Sequence, residues 1–416
     1  MSLAARSSFP PRILGAFQGD APGPTVVVTS GVHGNEAAGV RASESVIATL
    51  HRIKIPFAGR VIAVVGNRPA LVRRRRYIAR DLNRFWTPEH LDSLRRAEAA
   101  VLQDEDREQR DLLDVFGPLL DPDQDPVVFL DLHSTSGPGV PFVCMADVIR
   151  NRKLAFGLHI PVVLGLEEAI EGSMLGYLCD LGHIGIAVEG GQNDDPQTQR
   201  HHEASIWSVL VSAGALRPES IPGYEALRRG MEDAVRDMPK VIEIRHRHVV
   251  EEDEQFEMRP GYRSFQPVKA GERVARNADG DVRTPEAGLM MLPRYQGQGS
   301  DGYFLARPVR PFWLSLSARL RDMKADRLLP QLPGVTAHPE KAEHYLVDAR
   351  VARRAIDIFH LLGFRREAKE GAHLVFSRRR PDVWGPEGLP DLSSGFEVPK
   401  LRTVKDDRSP SLRPRS

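Results

Sequence analysis

The sequence predicts an α/β protein whose core is a mostly parallel, twisted sheet with helices on both faces. Strand-like runs alternate with helix-like runs through the first half of the chain. The strand-like runs are rich in Val, Ile and Leu at successive positions, as expected for strands buried on both faces. Such alternation favours parallel strands joined by helical crossovers. With 416 residues, the chain is also long enough for two or three domains.

The predicted elements are taken in chain order. The strands are short apolar runs, at 25–30, 60–66, 127–133, 141–145, 161–166 and 185–189. The helices are longer runs, at 36–51, 88–116, 172–181 and 203–213. In sheets of this kind, ligands bind outside the carboxyl ends of the strands. Residues at the ends of the strands are therefore the first candidates for a functional site.

The character of the sequence changes twice after this α/β region, which we assign to residues 1–238. In 239–311 the segments are short and separated by Gly or Pro, which predicts a small β-rich module. In 312–416 a helix-like and a strand-like run predict an α+β extension. From about residue 380 the tail is rich in Pro, Ser and charge, which is typical of a disordered segment.

Composition and charge argue against several classes of function. The formal net charge is +1, which gives no general attraction for nucleic acid or anionic membranes. The basic run 73–76 lacks interleaved aromatic residues and is expected to be a solvated loop. No apolar run is long enough to span a membrane. The two cysteines, Cys144 and Cys179, form no CxxC pair and suit a reducing compartment, so we expect a cytoplasmic protein.

Three residues near strand ends could bind one metal ion. His33 and Glu36 lie three residues apart, directly after the first strand, where a turn enters a helix. His133 ends another buried strand. Two imidazoles and one carboxylate with an open fourth position are typical of catalytic zinc. By contrast, His201 and His202 precede a predicted helix and are expected to be solvated.

Two further segments offer catalytic and binding groups. Residues 76–85 contain Asp81, Asn83 and Arg84, and adjacent Asn and Arg side chains can hold a carboxylate. Glu189 ends an apolar strand and is followed by two glycines. A carboxylate in such a place is costly to bury without a partner, and it could act as a general base towards metal-activated water.

The four segments occur in the order HxxE, DLNR, DLH and strand-end Glu. Over about residues 20–310 the chain therefore resembles the succinylglutamate desuccinylase/aspartoacylase family of the zinc carboxypeptidase-like superfamily. The resemblance implies one Zn²⁺ per chain, with His33, Glu36 and His133 as ligands. It implies that Glu189 activates the attacking water and protonates the leaving amine. Arg76, the last of four consecutive arginines, would stabilise the oxyanion, although the match could shift within this run.

The resemblance also implies binding and positioning residues. Asn83 and Arg84 would hold the substrate carboxylate. Asp81 would accept a hydrogen bond from the non-ligating nitrogen of His33. The family's β module can contribute to the mouth of the active site, and Tyr303 is the candidate for such a contact here.

The function expected on this basis is zinc-dependent hydrolysis of the amide bond of an N-acyl amino acid or a related small carboxylate-bearing amide. A zinc carboxypeptidase acting on peptide C-termini is a close alternative. A non-catalytic small-molecule-binding relative is a third possibility. The sequence leaves the acyl group, the amino acid, the role of the C-terminal extension and a possible homo-oligomer open.

Overall fold

A computed structural model of the chain describes residues 9–98, 101–120, 125–251, 253–371 and 373–379. The tail that the sequence predicts to be disordered, from about residue 380, lies outside the described residues. No helix in the described ranges is long and apolar enough to cross a membrane.

Eighteen strands are present in the described part of the chain. They are β1 (Ile13–Gln18), β2 (Ala21–Ser30), β3 (Ala58–Val65), β4 (Val128–Thr135), β5 (Phe142–Met145), β6 (Val162–Leu164), β7 (Ile184–Gln192), β8 (Val241–Val249), β9 (Glu257–Met258), β10 (Gln266–Val268), β11 (Arg273–Asn277), β12 (Gly280–Arg283), β13 (Gly288–Met291), β14 (Asp301–Pro308), β15 (Val335–Ala337), β16 (His344–Asp348), β17 (Arg366–Glu370) and β18 (His373–Ser377).

Eleven α-helices accompany the strands in the same described ranges. They are α1 (Ala38–Arg52), α2 (Arg68–Arg73), α3 (Pro88–Arg96), α4 (Asp104–Phe116), α5 (Ile149–Gly157), α6 (Leu166–Ala169), α7 (Met174–Asp180), α8 (Pro196–Ser212), α9 (Tyr224–Ala234), α10 (Pro311–Asp322) and α11 (Ala349–Leu361).

The largest sheet has eleven strands in the order β1-β3-β2-β4-β7-β5-β6-β8-β14-β13-β10. Its central neighbours β3, β2, β4 and β7 are parallel, and β5, β6 and β8 form a second parallel group. Two large apolar cores pack on this sheet, which buries both of its faces. The prediction of a mostly parallel sheet with helices on both faces is confirmed.

Two details differ from the prediction. No strand is predicted from the sequence at β1, which pairs antiparallel with β3 at one edge of the sheet. The single predicted helix 88–116 is two helices, α3 and α4. The second begins at a capping box, in which the Gln103 and Asp106 side chains bond reciprocally to the backbone. A new helix start inside a long polar run is the physical reason for the split.

The region 239–311 contributes to two sheets. Strands β8, β14, β13 and β10 extend the large sheet, because β8 pairs in parallel with β6. Strands β9, β11 and β12 form a separate three-stranded antiparallel sheet. The region is thus β-rich, as predicted, and it is continuous with the sheet that carries the site. The proposed division into domains at 238 and 311 stays a prediction.

The described part of the C-terminal extension contains α10 and a four-stranded antiparallel sheet, β15-β16-β18-β17. This sheet and α11 share an apolar core of their own, which includes Val347, Phe359, Phe364 and Phe376. A helix against an antiparallel sheet agrees with the predicted α+β character of this segment.

A buried charge network joins this extension to the α/β region. The Arg365 guanidinium lies 2.5 Å from Asp147 Oδ2 and also pairs with Glu243. Asp147 is fully buried and has two more partners, Arg152 at 2.9 Å and Arg321 at 2.8 Å. Burial alone would raise the pKa of Asp147, but these three guanidinium groups outweigh it and hold the pKa well below its usual value. The network therefore stabilises the charged carboxylate inside the protein.

We expect Arg365→Met to lower the free energy of unfolding by about 3–5 kcal/mol, since it leaves buried charges on Asp147 and Glu243 without a shared partner. Urea denaturation of the full chain measures this loss. Arg366→Met is the matched control, because Arg366 pairs with Asp180 at 2.8 Å on the surface. In the control variant the free energy of unfolding should fall by less than about 1 kcal/mol. Equal losses in the two variants would show that the buried network does not hold the extension in place.

Candidate metal centre and active site

His33 and Glu36 lie in the turn between β2 and α1. β2 is a central strand of the large sheet, and the chain leaves it through Gly31, which has φ +65. This left-handed conformation strains residues with a Cβ atom, so glycine suits the position. The turn places the His33 and Glu36 side chains, which are both buried, over the carboxyl end of the sheet.

His133 and Glu189 lie on the two strands that follow β2 in the sheet. In the parallel pairing of β4 with β7, His133 and Glu189 stand directly opposite each other. β2 pairs with β4 on the other side, with Ser30 opposite Leu132. The candidate residues from three separate segments therefore meet at the carboxyl ends of three adjacent parallel strands, where ligands are expected.

Glu36 lies between the two histidines. Its Oε1 is 2.8 Å from His33 Nδ1, and its Oε2 is 3.0 Å from His133 Nδ1. One ligand atom from each of the three side chains lies within 4.8 Å of the others. Burial would raise the pKa of Glu36, but its contacts with His33 and His133 outweigh burial and lower the pKa. The sequence prediction placed these three residues around one ion, and the structure brings them together.

The other nitrogen of each imidazole contacts an aspartate. His33 Nε2 lies 3.2 Å from Asp81 Oδ1, and His133 Nε2 lies 2.9 Å from Asp131 Oδ2. Asp131 also accepts a bond of 2.6 Å from the Thr29 hydroxyl. Carboxylates in these positions fix the ring orientation and the tautomer of metal-binding histidines. The contact predicted for Asp81 is present, and Asp131 has the equivalent position for His133.

This donor set fits zinc. Two imidazole nitrogens and one carboxylate are the protein ligands of many catalytic zinc sites. Both Nδ1 atoms and both Glu36 oxygens face one another, while the Nε2 atoms are held by carboxylates. The ligand atoms are therefore oriented toward a common centre, and the charges of the surrounding carboxylates favour a cation there.

Arg76 is the arginine of the basic run that reaches the site. Arg73, Arg74 and Arg75 are exposed, whereas the Arg76 side chain lines the same cavity as the candidate ligands. Its Nη2 lies 2.9 Å from Asp81, and its Nη1 lies 3.7 Å from Glu36 Oε1. A guanidinium beside the ligands can stabilise negative charge that develops on a reacting oxygen.

Glu189 has the environment of a general base. Its carboxyl lines the cavity, and the Oε2 atom is buried without a hydrogen-bond partner in the described part of the chain. Burial raises the pKa of Glu189 to about 7, with the charge of Glu36 adding to the effect. A carboxyl group with such a pKa can accept and return a proton near neutral pH.

Asn83 and Arg84 also line the cavity, and both have partners in the protein. Asn83 Oδ1 accepts a hydrogen bond of 2.8 Å from the backbone N–H of Met174 at the start of α7. Arg84 donates to the Asn83 carbonyl and, at 2.7 Å, to the carboxylate of Asp301. Both residues thus lie at the cavity, where Arg84 contacts the carboxylate of Asp301, and their role in holding a substrate carboxylate stays a prediction.

Tyr303 lies outside the cavity wall. It is fully buried in the core of the three-stranded sheet, and its ring stacks on His248 with a centroid distance of 5.2 Å. Its neighbours on β14, Asp301 and Phe304, line the cavity instead. Successive side chains on a strand point to opposite faces, and β14 has an irregular register near its start. The predicted substrate contact from Tyr303 is therefore not supported by this geometry.

Two buried residues near the site were not assigned correctly from the sequence. Glu105, on α4, accepts hydrogen bonds from the backbone N–H groups of Ile78, Ala79 and Arg80 at 2.7–3.3 Å. It thereby holds the loop that follows Arg76. A buried Glu in the first turn of a polar helix has no sequence signal of its own.

His202 was expected to be solvated, and this prediction is wrong. The helix α8 begins at Pro196, so His202 lies inside it and is only 1% exposed. A Cβ atom at Gly190 would lie 2.6 Å from its ring, so the glycine after Glu189 makes room for the histidine. Burial lowers the pKa of His202 to about 3, which keeps the ring neutral.

The fold and the site define the class of protein. A largely parallel α/β sheet carries two histidines and one glutamate at its carboxyl edge, together with the half-buried Glu189 and Arg76, and this combination is typical of a catalytic domain with a candidate metal site. Residues 22–209 match the sequence model of the Succinylglutamate desuccinylase/Aspartoacylase catalytic domain. Over these residues the chain is similar to the succinylglutamate desuccinylase/aspartoacylase family, and the resemblance predicted from the sequence is confirmed.

Curated relatives match over a short segment. A succinylglutamate desuccinylase of Yersinia enterocolitica is 33% identical over 79 residues, which are 18% of this chain and 24% of the relative. The chain thus spans about a quarter of the length of this relative.

Solved structures match over a larger part of the chain. A succinylglutamate desuccinylase/aspartoacylase of Rhodobacter sphaeroides has a TM-score of 0.52 at 18% identity, covering 72% of this chain and 88% of that one. A Vibrio parahaemolyticus protein described as a succinylglutamate desuccinylase has a TM-score of 0.53 at 14% identity, covering 71% and 86%. At these identities the likeness shows the fold.

Proposed function

We propose that this protein is a zinc-dependent amidohydrolase that cleaves the amide bond of an N-acyl amino acid or a related small carboxylate-bearing amide. The observation that carries the proposal is the convergence of His33, Glu36 and His133 with a buried, partnerless Glu189 oxygen in one cavity. The family assignment of residues 22–209 supports the same chemistry, because the proteins it is named after are deacylases.

His33, Glu36 and His133 would hold the zinc ion. Zinc held there would polarise the scissile carbonyl and acidify the attacking water. Asp81 and Asp131 would keep the two imidazoles in the ligating tautomer, since each aspartate contacts the nitrogen that points away from Glu36.

Glu189 and Arg76 would supply the remaining chemistry. The Glu189 carboxylate would take a proton from the attacking water and pass it to the leaving amine nitrogen. A pKa of about 7 makes both transfers accessible at neutral pH. The Arg76 guanidinium, held by Asp81, would stabilise the negative charge on the former carbonyl oxygen.

Asn83 and Arg84 are the proposed contacts for the carboxylate of the substrate. They line the cavity beside Arg76 and belong to the same DLNR segment. Residues of the segment 292–299 line the same cavity, and the Gln298 side chain accepts a hydrogen bond from the backbone N–H of Arg76. A cavity wall formed by this segment favours small substrates over peptides. A cytoplasmic location and a possible homo-oligomer remain predictions from the sequence.

The proposal is tested by metal analysis and an amide panel. The purified chain should contain about one zinc per molecule, and it should release amine from N-acyl amino acids. The panel should include neutral amides and short peptides, because preferential release of C-terminal residues from peptides would favour a carboxypeptidase instead. Stoichiometric zinc without hydrolysis of any amide would indicate a non-catalytic binding protein.

We expect Arg84→Ala to raise KM for carboxylate-bearing substrates by about 10–100-fold, because a charge-assisted hydrogen bond to the substrate is lost. KM for a neutral amide of similar size should change far less. Steady-state kinetics with an N-acyl amino acid and its carboxamide measure the difference. Equal increases for the two substrates would contradict a carboxylate contact at Arg84.

A further inference from the structure

The carboxylate of Asp301 is bound by two arginines at the wall of the candidate active site. Asp301 is the first residue of β14 and lines the cavity. Its Oδ2 accepts a bond of 2.7 Å from Arg84, and its Oδ1 accepts one of 2.7 Å from Arg247 on β8. Arg247 is fixed further by a bond of 2.6 Å to the carbonyl of Ala169. We call Arg84, Asp301 and Arg247 the arginine–aspartate cluster.

The cluster is partly buried, and its three residues belong to a 3₁₀ helix and to the strands β8 and β14. The side chains of Arg84 and Asp301 are each 16% exposed, and that of Arg247 is 22% exposed. Burial alone would raise the pKa of Asp301, but the charges of Arg84 and Arg247 outweigh it and lower the pKa. Asp301 is therefore a permanent negative charge beside the proposed site of the substrate carboxylate. Two guanidinium groups and one carboxylate leave one net positive charge in the cluster.

The other two arginines of the cavity wall, Arg76 and Arg294, donate their hydrogen bonds outside the cluster, although the charge of Asp301 also acts on both. Arg76 pairs with Asp81 and lies beside the ligands. Arg294 donates to the carbonyls of Gly299 and Phe256, and its guanidinium lies 5.1 Å from the centre of the Phe256 ring. The arginine–aspartate cluster is thus the place where a substrate carboxylate would meet both a guanidinium and a competing carboxylate.

We propose that Asp301 is a specificity-determining residue that restricts the substrate to N-acyl amino acids with a single carboxylate. One substrate carboxylate balances the net charge of the cluster. A second one, from an acidic side chain, would face the Asp301 carboxylate in a partly desolvated site, and like charges repel there. This inference rests on the proposed function, because it concerns the amino acid part of the same substrate.

The test compares N-acetylglutamine with N-acetylglutamate, which have almost the same shape and differ by one charge. We expect the wild-type enzyme to favour N-acetylglutamine in kcat/KM by about tenfold or more. Asp301→Asn should keep the shape of the cluster, add one unit of positive charge and reduce this preference by about tenfold. Arg247→Gln should lower kcat/KM for both substrates, because it makes the cluster neutral.

Asp357→Asn is the matched control. Asp357 also lies between two arginines, Arg307 at 2.6 Å and Arg245 at 3.7 Å, and it lies outside the cavity lining. This variant should keep the wild-type ratio of kcat/KM values. Calorimetric binding of the free amino acids glutamine and glutamate provides a second readout that requires no turnover.

The outcomes separate this inference from the proposed function. A wild-type preference for N-acetylglutamate, or an unchanged ratio in Asp301→Asn, would overturn the role of Asp301 while the amidohydrolase proposal stands. If no amide is hydrolysed, the proposed function fails, and the binding data still decide the role of Asp301. The role of Asp301 would be supported if the wild type binds glutamine more tightly than glutamate, and if Asp301→Asn binds glutamate more tightly than the wild type does.

Discussion

Glu189→Gln is expected to lower kcat by about 100-fold to 10,000-fold without loss of the zinc ion that we propose the protein binds. The substitution removes the group proposed to move protons and leaves the proposed ligands His33, Glu36 and His133 unchanged. The buried Oε2 atom of Glu189, which has no hydrogen-bond partner in the described ranges, is then replaced by an amide of the same shape. Steady-state kinetics on an N-acyl amino acid, together with metal analysis, measure both quantities. KM should change little, because the carboxyl group is proposed to act mainly in the transition state.

Glu167→Gln is the matched control for this variant. Glu167 is another glutamate of the cavity wall and is buried, and burial raises the pKa of its carboxyl group as well. Its Oε2 accepts a hydrogen bond of 2.8 Å from Ser173, and it has no hydrogen bond to the proposed ligands. Its kcat should therefore fall far less than that of Glu189→Gln. Undiminished turnover in Glu189→Gln, or equal losses in both variants, would refute the assigned role.

His133→Ala is expected to abolish stoichiometric zinc binding. The change removes one of the three proposed protein ligands and leaves the Asp131 carboxylate without the imidazole that it contacts at 2.9 Å. The affinity should fall by well over about 100-fold, more than the loss of a residue that only orients a ligand. Zinc content after dialysis against a chelator measures the change, and activity should be lost in parallel.

Two further variants, Asp131→Asn and His246→Ala, give changes in zinc binding with which that of His133→Ala can be compared. Asp131→Asn keeps all three ligands and should weaken zinc binding by about 10–100-fold. His246 lies on β8, outside the cavity, and its replacement should leave zinc content unchanged. A His133→Ala protein that retains one zinc per chain after dialysis would exclude His133 as a ligand.

The candidate ligands could be predicted because each one lies at or just after a strand whose apolar pattern is plain. Val26, Val27 and Val28 before His33, and Leu130 and Leu132 beside His133, form short apolar runs of the kind expected for strands buried on both faces. Once the strands are parallel, their carboxyl ends meet at one edge of the sheet. The separation along the chain between His33 and His133 therefore has little influence on the prediction.

The contacts between distant segments could not be predicted in the same way. Asp301 and Arg84 are 217 positions apart: Arg84 ends a short 3₁₀ helix, and Asp301 begins β14. Their contact depends on how β14 joins β8 and on the irregular register at its start. Because of the same irregular register, the Tyr303 side chain packs into a separate apolar core and does not line the cavity.

The fold class, the family resemblance and the residues proposed to bind metal could be predicted from the sequence, because periodic apolar strands and closely spaced polar motifs are local properties of the chain. The fold in three dimensions was needed to show which arginine of the basic run faces the site, how Arg365 holds the extension, and that Arg84 already contacts a carboxylate. These features depend on burial and on pairing between distant segments. A charged side chain acquires its partner, and hence its role, only when the fold removes both from water.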